Sequence, residues 1–326
     1  MSTKLIFWKQ GQSLPFLGKK IIEFESKIFP GPSNDRVKIF GFQIKPDKNG
    51  NYIEGNDEGL YSEDELDAIQ TFGTAMYVID MCEKMLEMPI SWSWEKNNLK
   101  EPLTYFIRKN GINARYLKEE KCIELDYFGP YEHWTYYCRS NDIIAHETGH
   151  AILDGLKPLW ENGNIETRGL TEAFCDLMAI FTITSQLDLC ELAIKSINGN
   201  LRTKSILTQF GVGYGLDGSP TRPIRTALNN YKYQPDFQFP YQYAEVLVAC
   251  LYDLLIKMTH SNSKNPVSAN CLYETSRKWQ KAILKTFNTC PTRNCSLSEF
   301  QEMLIMFLRE EQDIIRELFK ARKIPG

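Results

Sequence analysis

Residues 141–153 read NDIIAHETGHAIL, and this stretch holds two of the four histidines in a chain of 326 residues, His146 and His150. Positions i and i+4 of an α-helix lie one turn apart on the same face. Two imidazole nitrogens at that spacing can bind one metal ion at about 2.0–2.1 Å. Glu147 directly follows the first histidine, so it lies beside the metal, where it can take a proton from a metal-bound water. The stretch predicts a metal site with an adjacent general base.

The flanking residues predict the helix itself. Ser140, Asn141 or Asp142 can cap its first turn, and isoleucine and leucine at positions 143, 144, 152 and 153 supply buried faces. The alternative is an amphipathic helix that carries two histidines by accident. A chance match is rare in a chain with so few histidines, so the metal site is the better interpretation.

A third ligand is expected on a second helix. A catalytic zinc site has three protein ligands and one open position, so two histidines leave one ligand missing. Residues 170–176 read LTEAFCD and begin an apolar helix that we expect to run to about Gln186. Glu172 is the candidate ligand, and Asp176, one turn later, is the candidate acceptor of the free ring N–H of a liganding histidine. An exposed acidic face is the alternative, but a buried unpaired carboxylate would be costly.

The order His-Glu-x-x-His, followed about twenty residues later by Glu-x-x-x-Asp, resembles the gluzincin zinc peptidases, and the thermolysin-like neutral proteases in particular. The resemblance runs from about Asp67 to Asp253 and is carried by the motifs. It implies Zn²⁺ held by His146, His150 and Glu172, with Asp176 behind a histidine.

The resemblance also implies residues that bind the substrate. Asn113 and Ala114, followed by Arg-Tyr, are similar to the family's Asn-Ala-aromatic edge strand, which holds the substrate backbone as an added strand. A simple turn is the alternative there. Arg225, in Ile-Arg-Thr, resembles the family arginine that binds the substrate carbonyl on the leaving-group side. Arg222 is a competing candidate, and either could be a surface charge.

Two departures from the family concern the donors to the tetrahedral oxyanion, which are a tyrosine and a histidine. Where the tyrosine is expected, this chain has Leu159-Trp160-Glu161. Where the histidine is expected, it has Tyr241, whose O–H can also donate to an oxyanion, and Tyr243 is a near alternative. Loss of one such donor typically lowers turnover by about 10²–10³.

Composition narrows the partners and the compartment. A formal charge of −3 gives no electrostatic case for nucleic acid or an anionic membrane. No apolar run reaches the ~18 residues of a membrane span, and the N-terminus has no secretory signal. The nine cysteines are scattered and fit reduced thiols. We therefore expect a cytoplasmic protein with a peptide or protein substrate, no nucleic acid and no membrane.

The pattern along the chain predicts an α+β fold with a strand-rich N-terminal lobe, a mainly helical C-terminal lobe and a zincin active-site helix between them. Strands are expected at residues 37–44, 103–107 and 122–128, and a helix begins at the capping box of Ser62 and Glu65. We expect two domains. Residues 1–155 form the strand-rich lobe that ends in the zinc-binding helix, and residues 156–326 form the helical lobe.

These observations predict a zinc metallopeptidase, and more specifically an endopeptidase. Glu147 would deprotonate the zinc-bound water that attacks the scissile carbonyl and then pass the proton to the leaving amine. Two alternatives stay open. One is a zinc hydrolase of non-peptide substrates. The other is a non-catalytic peptide-binding module on a degenerate peptidase scaffold, which the replaced oxyanion donors favour.

Overall fold

The computed structural model describes residues 2–11, 17–95, 100–129, 134–212, 223–263 and 266–325. It confirms a mixed α/β structure, 48% helix and 17% strand, with a curled sheet and several helices. The strands are β1 Thr3–Trp8, β2 Lys19–Phe24, β3 Val37–Ile39, β4 Gly55–Asn56, β5 Gly59–Leu60, β6 Leu103–Asn110, β7 Ala114–Leu117, β8 Cys122–Phe128, β9 Thr135–Tyr136, β10 Gln209–Phe210 and β11 Arg225–Thr226. The helices are α1 Glu63–Leu86, α2 Asn141–Leu156, α3 Ile165–Thr184, α4 Leu187–Ser196, α5 Pro240–Asn262, α6 Ala269–Thr289, α7 Leu297–Phe307 and α8 Gln312–Ala321.

The main sheet has the strand order β3-β6-β8-β7. The first three strands are parallel, and β7 runs antiparallel to β8, with Ala114 opposite Leu125. Strand β9 pairs with the end of β8 at Tyr127 and Phe128. Among the described strands, β7 pairs only with β8, so its other edge keeps backbone N–H and C=O groups that can pair with another chain.

Helices α2 and α3 pack against each other and are both capped by side chains. Of the three candidate caps for α2, Ser140 is the N-cap, because its hydroxyl accepts the backbone N–H of Ile143 at 3.4 Å. Asn164 caps α3 and accepts the N–H of Thr167 at 2.8 Å. Both caps satisfy N–H groups that have no partner within the helix.

A glycine sets how closely these two helices approach. A Cβ atom at Gly149 would lie 3.0 Å from Cγ of Met178 and 3.2 Å from Cα of Cys175, both on α3. Even an alanine at this position would require its neighbours on α3 to shift by a few tenths of an ångström. The glycine between Glu147 and His150 therefore brings the second helix within reach of the histidines.

Two predicted elements have different ends in the structure. The strand expected over residues 37–44 ends at Ile39, because the chain turns at Phe40 and Gly41 has a φ of +86°. Helix α3 ends at Thr184 rather than near Gln186, and Ser185 is its C-cap. The capping box at Ser62 and Glu65 is confirmed at the start of α1.

One apolar cluster of buried residues includes residues from both sides of position 155, from Leu5 to Ile324. The buried helices α2, α3 and α5 contribute much of it. Within the described residues, no single helix has the length and apolar content to cross a membrane. The pair α3 and α4, bent by 92°, passes that test only when both helices are taken together.

Asp142 connects three separate segments at the start of α2. Its carboxylate accepts hydrogen bonds from the side-chain amide of Gln10, which follows β1, and from the backbone N–H of Gly211, which follows β10, at 3.1 Å. Burial raises the pKa of Asp142 to about 7, although these two hydrogen bonds act in the opposite direction. The carboxyl therefore holds the β10 segment beside α2.

This buried carboxyl makes folding stability depend on pH. The pKa of Asp142 is about 7 in the folded protein and has an ordinary value of 3.8, so between these values the folded state keeps a proton that the unfolded chain has lost. Ionisation opposes folding, and the destabilisation grows as pH rises from about 4 to about 7. We expect the unfolding free energy of Asp142→Asn, relative to wild type, to rise across this window by up to about 4 kcal/mol.

Urea unfolding at a series of pH values measures this difference. Asp313→Asn, which changes an exposed carboxylate on α8, is the control and should track the wild type. Parallel pH profiles for Asp142→Asn and wild type would contradict the assignment.

Candidate metal centre

The two histidines of α2 lie close to the Glu172 carboxylate of α3. Nε2 of His146 lies 3.5 Å from Oε2 of Glu172, and Nε2 of His150 lies 3.8 Å from Oε1 of the same carboxylate. The three side chains are 13%, 19% and 15% exposed, so they are mostly buried but reachable from solvent. The sequence placed the histidines on one helix face, and the structure adds the carboxylate opposite them.

The distances from the histidines to Glu172 are near those between two ligands of one metal ion. Ligand atoms at 2.0–2.1 Å from a tetrahedral zinc are separated by about 3.4 Å. The two distances above, which end on different oxygens of Glu172, are 3.5 and 3.8 Å. Oε2 of Glu172 is also buried, and no hydrogen-bond partner for it is found among the described residues. A buried carboxylate oxygen without a partner is unfavourable, and a cation at this point would satisfy it.

Asp176 connects the candidate ligands to an arginine. Its Oδ1 lies 3.0 Å from Nδ1 of His146, and Nε and Nη2 of Arg225 donate to its carboxylate at 2.8 and 2.7 Å. A carboxylate on Nδ1 fixes the imidazole tautomer and leaves Nε2 toward Glu172. Burial by itself would raise the pKa of Asp176, but the charges of Arg225 and His146 lower it.

The two histidines differ in their surroundings. Burial by itself would lower the pKa of His146, but the nearby carboxylates of Asp176 and Glu172 outweigh it and raise the pKa to about 10. Burial lowers the pKa of His150. In Glu172 the charged histidines outweigh burial, so the pKa of its carboxyl lies below the ordinary value.

Cys175 is a further donor that the sequence analysis did not single out. Its sulfur and one ring nitrogen of each histidine all lie within 4.8 Å of one another, so His146, His150 and Cys175 form a second candidate donor set. Burial raises the pKa of this thiol well above its ordinary value. Cys175 follows Glu172 by three residues, and this helical spacing is the sequence feature that could have indicated its position. What favours Glu172 is its buried oxygen, for which no hydrogen-bond partner is found in the described part of the chain.

The candidate base lies between two cavities that meet at the histidines. The cavities share the walls formed by Asn113, Ala114, His146, Glu147 and Tyr241. Glu147 is 7% exposed, and no hydrogen bond of its carboxylate is found within the described residues. Its proton-accepting oxygens are therefore not committed to another group of the fold.

The two cavities differ in chemistry. The apolar cavity, about 260 Å³, has Arg225 and the side chains of Ile112, Ile143, Phe210 and Ile224 in its walls. The polar cavity, about 350 Å³, lies on the side of His150 and Glu172. Its remaining polar walls are Arg115, Asp154, Lys157, Glu161, Arg168 and Thr171.

Asn113 and Ala114 lie at the start of the open edge strand β7, beside Glu147. The N–H of Asn113 donates to the Asp126 carboxylate at 3.0 Å, and the carbonyl of Asn113 accepts the N–H of Asp126 at 3.0 Å. These bonds hold the start of β7 against β8. Its free edge therefore forms a fixed wall common to both cavities.

The two candidate oxyanion donors, Tyr241 and Tyr243, have different surroundings in the structure. Tyr241 lies in the first turn of α5, lines both cavities, and its ring centroid is 5.0 Å from the guanidinium carbon of Arg225. The charge of Glu172 and burial raise the pKa of Tyr241, which keeps its O–H protonated. Tyr243 is buried against Phe237 and lines neither cavity.

Leu159 and Trp160 lie in the segment where the resemblance to the gluzincins implies a tyrosine. The indole N–H of Trp160 donates to the carbonyl of Pro291 at 2.9 Å, so it is committed to the fold. Leu159 is exposed and has no polar group to offer. Arg222, the alternative to Arg225, lies outside the described residues.

The ion pair between Arg225 and Asp176 leads to a prediction about the unfolding free energy. The Asp176 side chain is 1% exposed, so Arg225→Met would leave a buried carboxylate with only His146 as its ion-pair partner among the described residues. Breaking a buried pair costs about 3–5 kcal/mol. In metal-free protein we expect Arg225→Met to lower the unfolding free energy by about 3 kcal/mol and Arg225→Lys to recover part of it.

Urea unfolding in the presence of a chelator measures both variants. Arg202→Met is the matched control, since Arg202 pairs with Asp253 but is 58% exposed, and an exposed pair contributes about 1 kcal/mol or less. Equal losses for Arg225→Met and Arg202→Met would show that Asp176 does not depend on the arginine.

Comparisons with protein families and with curated proteins found no relative of this chain. The chemistry of the site is therefore argued from the positions of its side chains.

Proposed function

We propose that this protein is a zinc metallopeptidase of the gluzincin, thermolysin-like type. One observation carries the proposal. The nitrogens of His146 and His150 lie 3.5 and 3.8 Å from the carboxylate of Glu172 beside Glu147, and one oxygen of that carboxylate has no hydrogen-bond partner among the described residues. Two cavities meet at this point, as a substrate that extends on both sides of a cleaved bond requires.

Three residues would hold the metal, and a fourth would orient one of these ligands. His146, His150 and Glu172 are the ligands, and Asp176 fixes the tautomer of His146 through Nδ1. When bound, zinc would supply Lewis-acid polarisation of the scissile carbonyl and of the attacking water. The buried ion pair with Arg225 keeps Asp176 ionised for this role.

Glu147 moves the proton in this proposal. Its carboxylate lies at the junction of the two cavities without a committed hydrogen bond among the described residues. It accepts a proton from the water that attacks the carbonyl and gives it to the leaving amine. Since the same group faces both cavities, it can reach the water and the leaving group in turn.

The walls position the peptide. The edge of β7 at Asn113 and Ala114 pairs with the substrate backbone, as an exposed strand edge can. Tyr241, with its O–H protonated, donates to the oxyanion. Arg225 orients the substrate carbonyl on the leaving side, where the apolar cavity receives a hydrophobic side chain.

The finer architecture belongs to the same proposal. Residues 1–155 form the strand-rich lobe, residues 156–326 the helical lobe, and α2 runs along the floor of the cleft between them. A cleft whose two cavities are both large enough for side chains favours cleavage within a chain, that is, endopeptidase activity.

One observation favours the alternative of a non-catalytic peptide-binding module. Trp160 stands near the place of the family tyrosine, and its N–H is committed to Pro291. Tyr241 would then be the single protein donor of the two that the family uses. A site with intact ligands and a weakened oxyanion environment binds peptides while turning them over slowly.

The metal is tested directly by analysis of purified protein. We expect a single zinc ion per chain for wild type and for Glu147→Gln. Glu172→Ala should lower zinc affinity by at least about 100-fold, because it removes a ligand. Cys175→Ser is the matched control and should keep zinc. Loss of zinc from Cys175→Ser with retention by Glu172→Ala would make the thiol the third ligand.

The reaction is tested by the appearance of new peptide termini. Zinc-loaded wild type should cleave a denatured proteome, and Glu147→Gln, with zinc retained, should be slower by about 10²–10⁴-fold. Glu161→Gln, which changes an exposed acid in the polar cavity, controls for the loss of a negative charge.

Two results would contradict this assignment. Cleavage by a zinc-loaded Glu147→Gln protein at the wild-type rate would exclude Glu147 as the base. Peptide binding by wild type at saturating zinc without new termini would replace the peptidase by the binding module.

A further inference from the structure

The walls of the polar cavity contain two cations with no carboxylate partner among the described residues, Lys157 and Arg168. The third basic wall residue, Arg115, is already neutralised, since its Nη2 lies 2.6 Å from Oε2 of Glu124. Lys157 and Arg168 are therefore the cations of this cavity that have no counter-ion within the part of the chain that the structure describes.

Lys157 is the deeper of the two. It is 5% exposed, and its ammonium donates to the backbone carbonyls of Asn288, at 2.9 Å, and Cys290. Carbonyl dipoles satisfy N–H donors, but they do not neutralise the charge. Burial accordingly lowers the pKa of Lys157, with no acidic residue acting against it. An anion in the adjoining cavity would stabilise this ammonium.

Arg168 is the cation nearest to the candidate ligands along α3. It precedes Glu172 by one turn, so the two side chains share a helix face. Its side chain is exposed, and it makes no hydrogen bond or ion pair with the rest of the described chain. A guanidinium in this state can form a bidentate pair with an incoming carboxylate at little cost in desolvation.

The acidic residues of the same cavity do not pair with Lys157 or Arg168. The Asp154 carboxylate is held by Lys118, by the hydroxyl of Tyr116 at 2.8 Å and by Ser93. Glu161 is 60% exposed and lies 3.7 Å from Lys118. Glu147 and Glu172 face the candidate metal position.

The position of the cavity decides what kind of anion it can receive. Under the proposed function Arg225 marks the leaving-group side, and it lines the apolar cavity. The polar cavity is then on the acyl side of the scissile bond. Substrate residues on the acyl side have no free α-carboxylate, because the chain continues through the bond that is cut. A carboxylate there can come only from a side chain.

We propose that the polar cavity selects a glutamate or aspartate side chain on the acyl side of the scissile bond, with Arg168 as the specificity-determining residue. This inference rests on the proposed peptidase function. Arg168 pairs with the carboxylate, and Lys157 adds a second positive charge deeper in the cavity. The cleavage sites then have an acidic residue before the scissile bond and an apolar residue after it.

The test uses peptides that are identical except for glutamate, glutamine or lysine on the acyl side, with two measurements. The first is kcat/KM with zinc-loaded wild type. The second is binding to zinc-loaded Glu147→Gln, measured by calorimetry. A charge-assisted pair predicts a preference for glutamate over glutamine of about 10-fold or more. The preference should weaken as ionic strength rises, since an exposed guanidinium is screened.

Variants of Arg168 separate specificity from folding. Because the side chain is exposed and unpaired, Arg168→Gln should fold normally and reduce the preference to about twofold or less. Arg168→Glu should invert it in favour of lysine. Lys157→Met should weaken the preference in part, with circular dichroism as the check on its fold. Arg277→Gln, an exposed arginine of α6, is the control and should leave the preference unchanged.

The outcomes distinguish the two proposals. If wild type cleaves but treats glutamate and glutamine alike, or if Arg168→Glu keeps the glutamate preference, the acidic subsite is wrong and the peptidase stands. If nothing is cleaved but the glutamate peptide binds more tightly in an Arg168-dependent way, the subsite is supported and the peptidase is wrong. Absence of both cleavage and selective binding overturns the subsite as well.

Discussion

The close packing of α2 against α3 at Gly149 is the constraint on which the rest of the site depends. The absence of a side chain there lets Met178 and Cys175 approach to van der Waals distance. That approach sets the carboxylate of Glu172 within 4 Å of both imidazole rings. A bulkier residue would separate the two halves of the candidate metal centre, whatever residues each half carried.

Electrostatics link this packed pair of helices to the rest of the molecule. Arg225, on the short strand β11, is paired with Asp176, which in turn contacts His146. The arginine thus belongs to the support of the metal centre and to the wall of the apolar cavity at once. A buried carboxylate with partners on both sides tolerates little movement, because loss of either partner leaves a charge that solvent cannot reach.

The surroundings of the site are assembled from distant parts of the chain. Asp142 holds the segments after β1 and β10 against α2, and Lys157 is held by carbonyls at the C-terminal end of α6. The two cavities differ in chemistry: one is mainly apolar, and the other has two cations without a carboxylate partner among the described residues. Under the proposed function, this contrast means that a substrate can bind in one direction, with different side chains expected in the two cavities.

The sequence by itself determined what depends on local spacing: the helix with His146 and His150 on one face, Glu147 beside them, and the carboxylates of the next helix. These follow from the 3.6-residue period and from capping, which act within a few residues. Only the tertiary structure decided that Cys175 lies beside the histidines, that Tyr241 rather than Tyr243 lines the two cavities, and that Lys157 and Arg168 have no counter-ion among the described residues. Those outcomes depend on how helices far apart in the chain pack, and packing depends on the shapes of many side chains at once.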